Sequence, residues 1–379
     1  MWYILLLLTF FNPLFSHSHS DHTSHQHVHD QSLGRTFYIV PPCGYEYEKL
    51  FDPTNFRLNE DDRERPFIAL RDAFRALGYE LKTTTLSEKL HDFAGLMVCV
   101  PPDDLRKLER ISHHHRERCV QLHFEPLSLV PNYYSPTLRH YFKNIYTLID
   151  TFIDNKTYVK FFYPQVSLAM TDQVIPFNEK KLAVLIASNR SAVNHPAELY
   201  SKRKQTIRFF ERHAPQDFDF YGHGWPAAQY PSYRGELRYT GGVPAKVLVL
   251  PHYKFCICYE NSIWPGYVTE KIWDCFVSGC VPVYWGAPNV KQFIPENCFV
   301  DRTRFASDAE MYQFISQISE QEHAAYLEAI RNFLESPQAG FFSTEYFIHT
   351  MLAFFIPQYD MAKVFTPEQL DKLLRTLAL

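Results

Sequence analysis

The 379 residues exceed what a single hydrophobic core usually organises, about 250 to 300 residues, so two domains are expected. A net charge of −4, with Lys and Arg scattered rather than blocked, offers no basic field and excludes a nucleic-acid partner. Eight cysteines in this length make no disulfide scaffold and lack the paired short spacing of a zinc site, so most are expected to be reduced and buried.

Trp2 to Phe15 is an apolar run of fourteen residues with Asn12 and Pro13 inside it and no basic residue ahead of it. It is shorter than the roughly 18 to 20 residues of a membrane span. Its length suits a secretory core, a short anchor or a segment lying on a membrane surface, so membrane association through residues 2–15 is one expectation. His17, His19, His22, His25, His27 and His29 follow among Ser, Asp and Gln. That tract reads as a disordered linker, the rival being a Zn²⁺- or Ni²⁺-binding appendage. Residues 1–32 are therefore set apart from the folded chain.

Residues 33–170 alternate strand and helix patterns, which predicts a first doubly wound α/β domain. Thr36 to Val40, Tyr79 to Thr84, Gly95 to Val100, Cys119 to Phe124 and Ile145 to Ile149 read as strands. Pro66 to Leu77 and Asp103 to His113 read as helices. Asp103-Asp104 sits at a helix start after Pro-Pro rather than in a metal-binding pair. Glu125 stands where a strand gives way to a Pro-containing loop, a position that suits either a catalytic carboxylate or a solvated loop residue. The cluster His113, His114 and His115 follows a charged helix and is expected to face solvent.

A second α/β domain is expected over residues 171–350, with a helical tail at 351–379. Lys181 to Ala187 reads as a strand closed by Ser188 and Asn189, Ala197 to Arg212 as a basic helix led by Pro196, and Asp219 to Gly222 as a strand. Gly241-Gly242 leads into the segment on which the chain is organised, YKFCICYENSIWPGYVTEKIWDCFVSGCVPVYWG, Tyr253 to Gly286. Tyr253 to Tyr259 is a strand and Glu260 to Gly266 a loop. A helix follows, with Thr269 as its N-cap, Ile272, Cys275 and Phe276 as its apolar stripe and Gly279 as its stop. Val281 to Trp285 returns as a strand, completing a βαβ unit. Glu260, Asn261, Glu270 and Lys271 gather where such sheets bind ligands, beyond the strand ends and against a helix N-terminus. Backbone N–H groups and Lys suit a phosphate and Glu suits hydroxyls, although Thr-Glu-Lys is also ordinary capping chemistry. Val290 to Ile294 reads as a short helix, and Ser307 to Ser336 as helical and amphipathic.

The string ENSIWPGYVTEK followed by PVYWG resembles the donor-binding signature of the α1,3-fucosyltransferases, glycosyltransferase family 10, at Glu260, Asn261, Ser262, Tyr267, Thr269, Glu270 and Lys271. The resemblance runs from about Gly95 to Asp301 and implies a GT-B architecture, two Rossmann-like doubly wound domains facing a cleft. It implies an inverting transfer of L-fucose from GDP-fucose to a glycan acceptor, most often at O3 of GlcNAc, with Glu125 as the general base. Donor-binding residues on this reading are Ser188, Asn189, Arg203, Glu260, Asn261, Tyr267, Glu270 and Lys271, with Arg190 as the second choice for the diphosphate arginine. Lys271, Arg203 and helix N–H groups would meet the diphosphate charge, so no metal is required. The rivals are a GT-B transferase using another nucleotide sugar such as GDP-mannose and an inactive glycan-binding homologue. The expected location is a membrane-associated one: the Golgi lumen in a eukaryote, the cytoplasmic face of the inner membrane in a bacterium.

Overall fold

The computed structural model describes residues 34–54, 62–101, 105–191, 195–237 and 245–379. The apolar run, the His tract, Asp103-Asp104 and Gly241-Gly242 lie outside the described residues, as do the side chains of His113 and His114.

The first domain is built on β1 (Thr36–Val40), α1 (Arg65–Ala76), β2 (Glu80–Thr83), β3 (Phe93–Val98), α2 (Leu105–His115), β4 (Cys119–His123), β5 (Asn144–Thr147) and β6 (Tyr158–Lys160). Its six strands are all parallel, in the order β2-β1-β3-β4-β5-β6. Alternate residues of β1 serve the two faces: Phe37 and Ile39 pack with α1, while Tyr38 and Val40 pack on the side of Leu108 in α2. Both faces are covered, which is why β3 reads as an unbroken apolar run and why all five residues of β4 are buried, Gln121 and His123 included.

The second domain repeats the plan with β7 (Lys181–Ile186), α3 (Tyr200–His213), β8 (Phe218–Tyr221), α4 (Ala245–Val249), β9 (Tyr253–Tyr259), α5 (Glu270–Val277), β10 (Val281–Trp285) and β11 (Val300–Asp301). The strand order β11-β10-β9-β7-β8 is again parallel throughout, and it reverses direction between β7 and β9. Cys256 and Cys258 share one face of β9 with Ile272, Cys275 and Phe276 of α5, while Phe255, Ile257 and Tyr259 fill the other. All eight cysteines are free thiols, and only Cys43 is exposed. Two doubly wound domains therefore face each other, the GT-B architecture expected from the sequence.

Three elements differ from expectation or refine it. The basic helix starts at Tyr200 rather than at Pro196, because residues 197–199 are drawn into extended pairing with the loop after β9: Leu199 N–H donates to Asn261 O at 3.0 Å and Ile263 N–H to Ala197 O at 2.7 Å. The stretch Ser307 to Ser336 is two helices, α6 (Asp308–Gln317) and α7 (Glu320–Leu334), because Ser319 and Glu322 form a capping box that starts a new helix. The tail also returns to the first domain. Helix α8 (Thr344–Phe355) puts Phe347 against Phe67 at 5.6 Å and Phe355 against Phe37 at 5.1 Å, so the division drawn at 350/351 falls inside a helix of the first core. Helix α9 (Pro367–Leu377) follows it.

Burial holds three histidines neutral, pushing His123 down to about 3 and His323 and His349 down to about 4. Once unfolded, each takes up a proton below about pH 6.5. The unfolded chain then binds more protons than the folded one, so stability falls as pH falls. Urea unfolding should show this loss between about pH 6.5 and 5, before most carboxylates titrate. His123→Phe should remove about 1.4 kcal/mol per pH unit of that slope; an unchanged slope would mean that His123 is not the group responsible.

Candidate active site

Where β9 ends, Glu260 turns its carboxylate into the protein. It is fully buried; Oε1 accepts from the Thr269 backbone N–H at 2.8 Å, and Oε2 accepts from the Thr269 hydroxyl at 2.8 Å. The Lys271 ammonium completes the group, 2.9 Å from Thr269 Oγ1, 3.2 Å from Glu260 Oε2 and 3.1 Å from Glu270 Oε1. Thr269 is the N-cap residue by position, but its hydroxyl is committed to Glu260 and no side chain caps α5. Burial opposes the charge of Glu270, yet Lys271, Lys246 and Arg63 outweigh it and hold the carboxyl well below the usual range. Burial likewise opposes the charge of Lys271, and Glu260 with Glu270 outweighs it, holding the ammonium above its ordinary pKa.

Helix α3 adds the second cation. Arg203 is buried, and its Nη2 donates to Tyr259 O at 2.6 Å and Asn261 Oδ1 at 3.1 Å. The Asn261 amide passes the chain on, Nδ2 donating to the Tyr267 hydroxyl at 3.4 Å. The extended pairing of residues 197–199 with the loop after β9 is what sets the start of α3, and therefore what aims Arg203.

These groups form one wall of a cavity of about 810 Å³ between the domains. Of the residues expected to bind the donor, Ser188, Arg203, Asn261, Tyr267, Glu270 and Lys271 line it. Glu260 does not; both its oxygens are spent on holding Thr269 and Lys271, so it supports the wall from behind. Asn189 does not line it either, because its Nδ2 donates to Gly224 O at 3.0 Å and ties two loops together. Arg190 does line it.

Glu125 faces these groups from the first domain, just beyond β4 and beside Phe124, Tyr163 and Arg63. Its carbonyl accepts from the Tyr134 hydroxyl at 3.0 Å, and its Oε2 is buried with no hydrogen-bond partner. Burial raises its pKa; Lys271 opposes the rise and Glu270 adds to it. His115 is exposed, its ring 4.9 Å from Phe93. Residues missed in the sequence are Tyr200, Arg63, Lys246, His223 and Glu236. Tyr200 carried a usable signal, since it lies three residues before Arg203 and so on the same helical face.

Residues 177–332 match the family model described as glycosyltransferase family 10 (fucosyltransferase), C-terminal. This region belongs to glycosyltransferase family 10. The family 10 region brings short, clear similarities. The α-(1,3)-fucosyltransferase FucT of Helicobacter pylori is 39% identical over 99 residues, 25% of this chain and 20% of that protein. The α-(1,4)-fucosyltransferase of Arabidopsis thaliana is 37% identical over 79 residues, 21% and 20%. GDP-fucose protein O-fucosyltransferase 3 of Gallus gallus is 36% identical over 83 residues, 21% and 18%. The chain thus spans about a fifth of the length of these relatives. Among solved structures, an α1,3-fucosyltransferase with GDP-fucose is 16% identical, covering 92% of this chain and 94% of that one at a TM-score of 0.46.

The arrangement makes Glu260 a support with a measurable role. Glu260→Gln preserves size but removes the counter-charge beside Lys271 and places an amide where two acceptor oxygens stood. Breaking a buried pair this way should cost about 3 kcal/mol of unfolding free energy. Loss of stability together with weakened GDP binding is expected by denaturation and calorimetry; unchanged stability would refute the supporting role.

Proposed function

We propose that the chain transfers L-fucose from GDP-fucose to a glycan hydroxyl, with inversion at C1. The observation that carries this reading is the opposition, across one cavity, of the Glu125 carboxylate on the first domain and the cations Lys271 and Arg203 on the second. Lys271, Arg203 and the N-terminal N–H groups of α5 would take the diphosphate. Glu270, Asn261, Tyr267 and Ser188 would take hydroxyls of the donor.

In the reaction, Glu125 accepts the proton of the acceptor hydroxyl as that oxygen attacks C1. The new C1–O bond forms, the bond from C1 to the β-phosphate oxygen breaks, and its electron pair leaves with GDP. The growing charge on the diphosphate meets two fixed cations. A carboxylate of ordinary pKa is a weak base for an alcohol, and the upward push of burial on Glu125 works in the needed direction. With that charge supplied by the protein, we infer that a divalent metal is not required, so EDTA should leave the rate unchanged.

Similarity to α-(1,3)-fucosyltransferases, one of them named as a 4-galactosyl-N-acetylglucosaminide 3-α-L-fucosyltransferase, favours O3 of GlcNAc as the acceptor atom. Similarity to GDP-fucose protein O-fucosyltransferase 3 favours a second reading, a hydroxyl of a protein. Membrane association through residues 2–15 remains part of the proposal, with the Golgi lumen or the cytoplasmic membrane face as its setting; no helix among the described residues is long and apolar enough to cross a membrane.

Labelled GDP-fucose and GDP-mannose offered over an array of glycans and Ser/Thr peptides test donor and acceptor together. Fucose transfer is expected, and Glu125→Gln should keep GDP affinity while cutting turnover by roughly 10² to 10⁴. Preference for GDP-mannose would overturn the donor, and near-normal turnover in Glu125→Gln would overturn the base.

A further inference from the structure

Two polar atoms of the cavity residues are buried without a hydrogen-bond partner, one from each domain: Oε2 of Glu125 and the hydroxyl of Tyr200. Buried polar groups are seldom left so, because each gives up water and receives nothing. The two needs are complementary. An ionised carboxylate only accepts, and a phenol has one proton to donate.

The surroundings narrow the choice of donor. Of the other phenols near Glu125, Tyr133 donates to Cys99 O at 2.5 Å and Tyr134 donates to the Glu125 carbonyl at 3.0 Å, while the Tyr267 hydroxyl accepts from the Asn261 amide at 3.4 Å and so, unlike Tyr200, already has a partner. Tyr200 has its ring fixed but its hydroxyl idle: the residue is 3% exposed, with the Arg203 guanidinium 5.1 Å over its ring. Burial chiefly keeps the Tyr200 phenol protonated, and the Glu125 charge adds to that effect, so the two groups lie within electrostatic reach.

We propose that Tyr200 is a positioning residue for Glu125: in the donor complex its hydroxyl donates to Oε2 and leaves Oε1 to receive the acceptor proton. The proposal rests on the fucosyl-transfer reading above. The Tyr200 proton stays on its oxygen throughout. Its bond fixes the carboxylate rotamer, and by favouring the charged form it keeps a buried base ionised.

Tyr200→Phe retains the ring over which Arg203 lies and removes only the hydroxyl. With GDP-fucose and N-acetyllactosamine, kcat should fall about tenfold, the size of one hydrogen bond to a charged group, while GDP affinity is unchanged. The acid limb of kcat against pH should move upward, because the base loses a bond that favours its charged form. In a Glu125→Gln background the same change should lower kcat no further. Infrared titration of the Glu125 carboxylate in the GDP complex, read as a difference against Glu125→Gln, follows the same pKa without turnover, and it should rise in Tyr200→Phe. An unmoved titration overturns the proposal. So does a loss of GDP affinity, which would make the hydroxyl a ligand of the diphosphate. A wild-type protein that fails to bind GDP would overturn the reading beneath it instead.

Discussion

The buried carboxylate of Glu260 is the interaction on which the donor-side wall depends. A charge with no exposure to water survives only if its oxygens are satisfied, and here a backbone N–H, a hydroxyl and an ammonium supply the partners. Those partners come from Thr269, just before α5, and from Lys271 in its first turn, so one side chain at the end of β9 sets where the next helix begins. The spacing in the sequence follows from this. Residues 261–268 must bridge from β9 to α5 and return within reach of Glu260, and the residue after β10 must leave room for it. Gly286 fills that last position, where a Cβ would overlap Glu260 Cγ and the Tyr284 hydroxyl. The run PVYWG is thus tied to the run ENSIWPGYVTEK by packing around one carboxylate.

The same loop is fastened to the other domain. The Lys160 ammonium, buried at the end of β6, is 2.7 Å from Asp150 Oδ1 and donates to Leu148 O at 2.8 Å and Gly266 O at 3.2 Å. Asn289 closes the set, donating to Asp150 Oδ2 at 2.8 Å and accepting from Gly266 N–H at 2.7 Å. Gly266 has φ +79°, and a Cβ there would overlap Asp150 Oδ1 and the Leu148 carbonyl, so glycine answers both the turn and the contact. Tyr267 and Trp264 accordingly pack with the first-domain core. The loop that carries Asn261 and Tyr267 is therefore part of the domain interface. Tyr200 begins α3, whose start is paired with this same loop through Leu199 and Asn261.

Legibility in the sequence followed how local the deciding contacts are. Tyr253–Tyr259, Glu270–Val277 and Val281–Trp285 are bounded by their own apolar runs and turn residues, and they match the structure closely. Ser319 with Glu322 was a readable helix start inside a long periodic stretch, and the periodicity masked it. The start of α3 was not readable, since the pairing that holds residues 197–199 comes from a loop more than sixty residues later. Nor was the return of Thr344–Phe355 to the first core, because an apolar helix face does not say which sheet it covers. In the site, Glu260 and Glu270 are chemically the same side chain at neighbouring motif positions. Only their surroundings separate a carboxylate with both oxygens engaged from one that lines the cavity.

Charge balance links the two walls. At the start of α5 and on α3, Glu260 and Glu270 set two negative charges against Lys271 and Arg203, with Lys246 and Arg63 adding to the positive side at Glu270. A diphosphate entering that cluster adds negative charge beside groups already paired, and Lys271 must share itself among more acceptors. Lys271 is also the cation that most strongly restrains the pKa of Glu125. Each increment of its charge taken up by the diphosphate weakens that restraint, and the diphosphate's own charge pushes in the same direction. Donor binding should therefore make Glu125 a stronger base. The opposing need is that the carboxylate stay ionised as its pKa climbs, and a neutral hydrogen-bond donor on the facing helix meets it without adding a charge that would compete for the diphosphate.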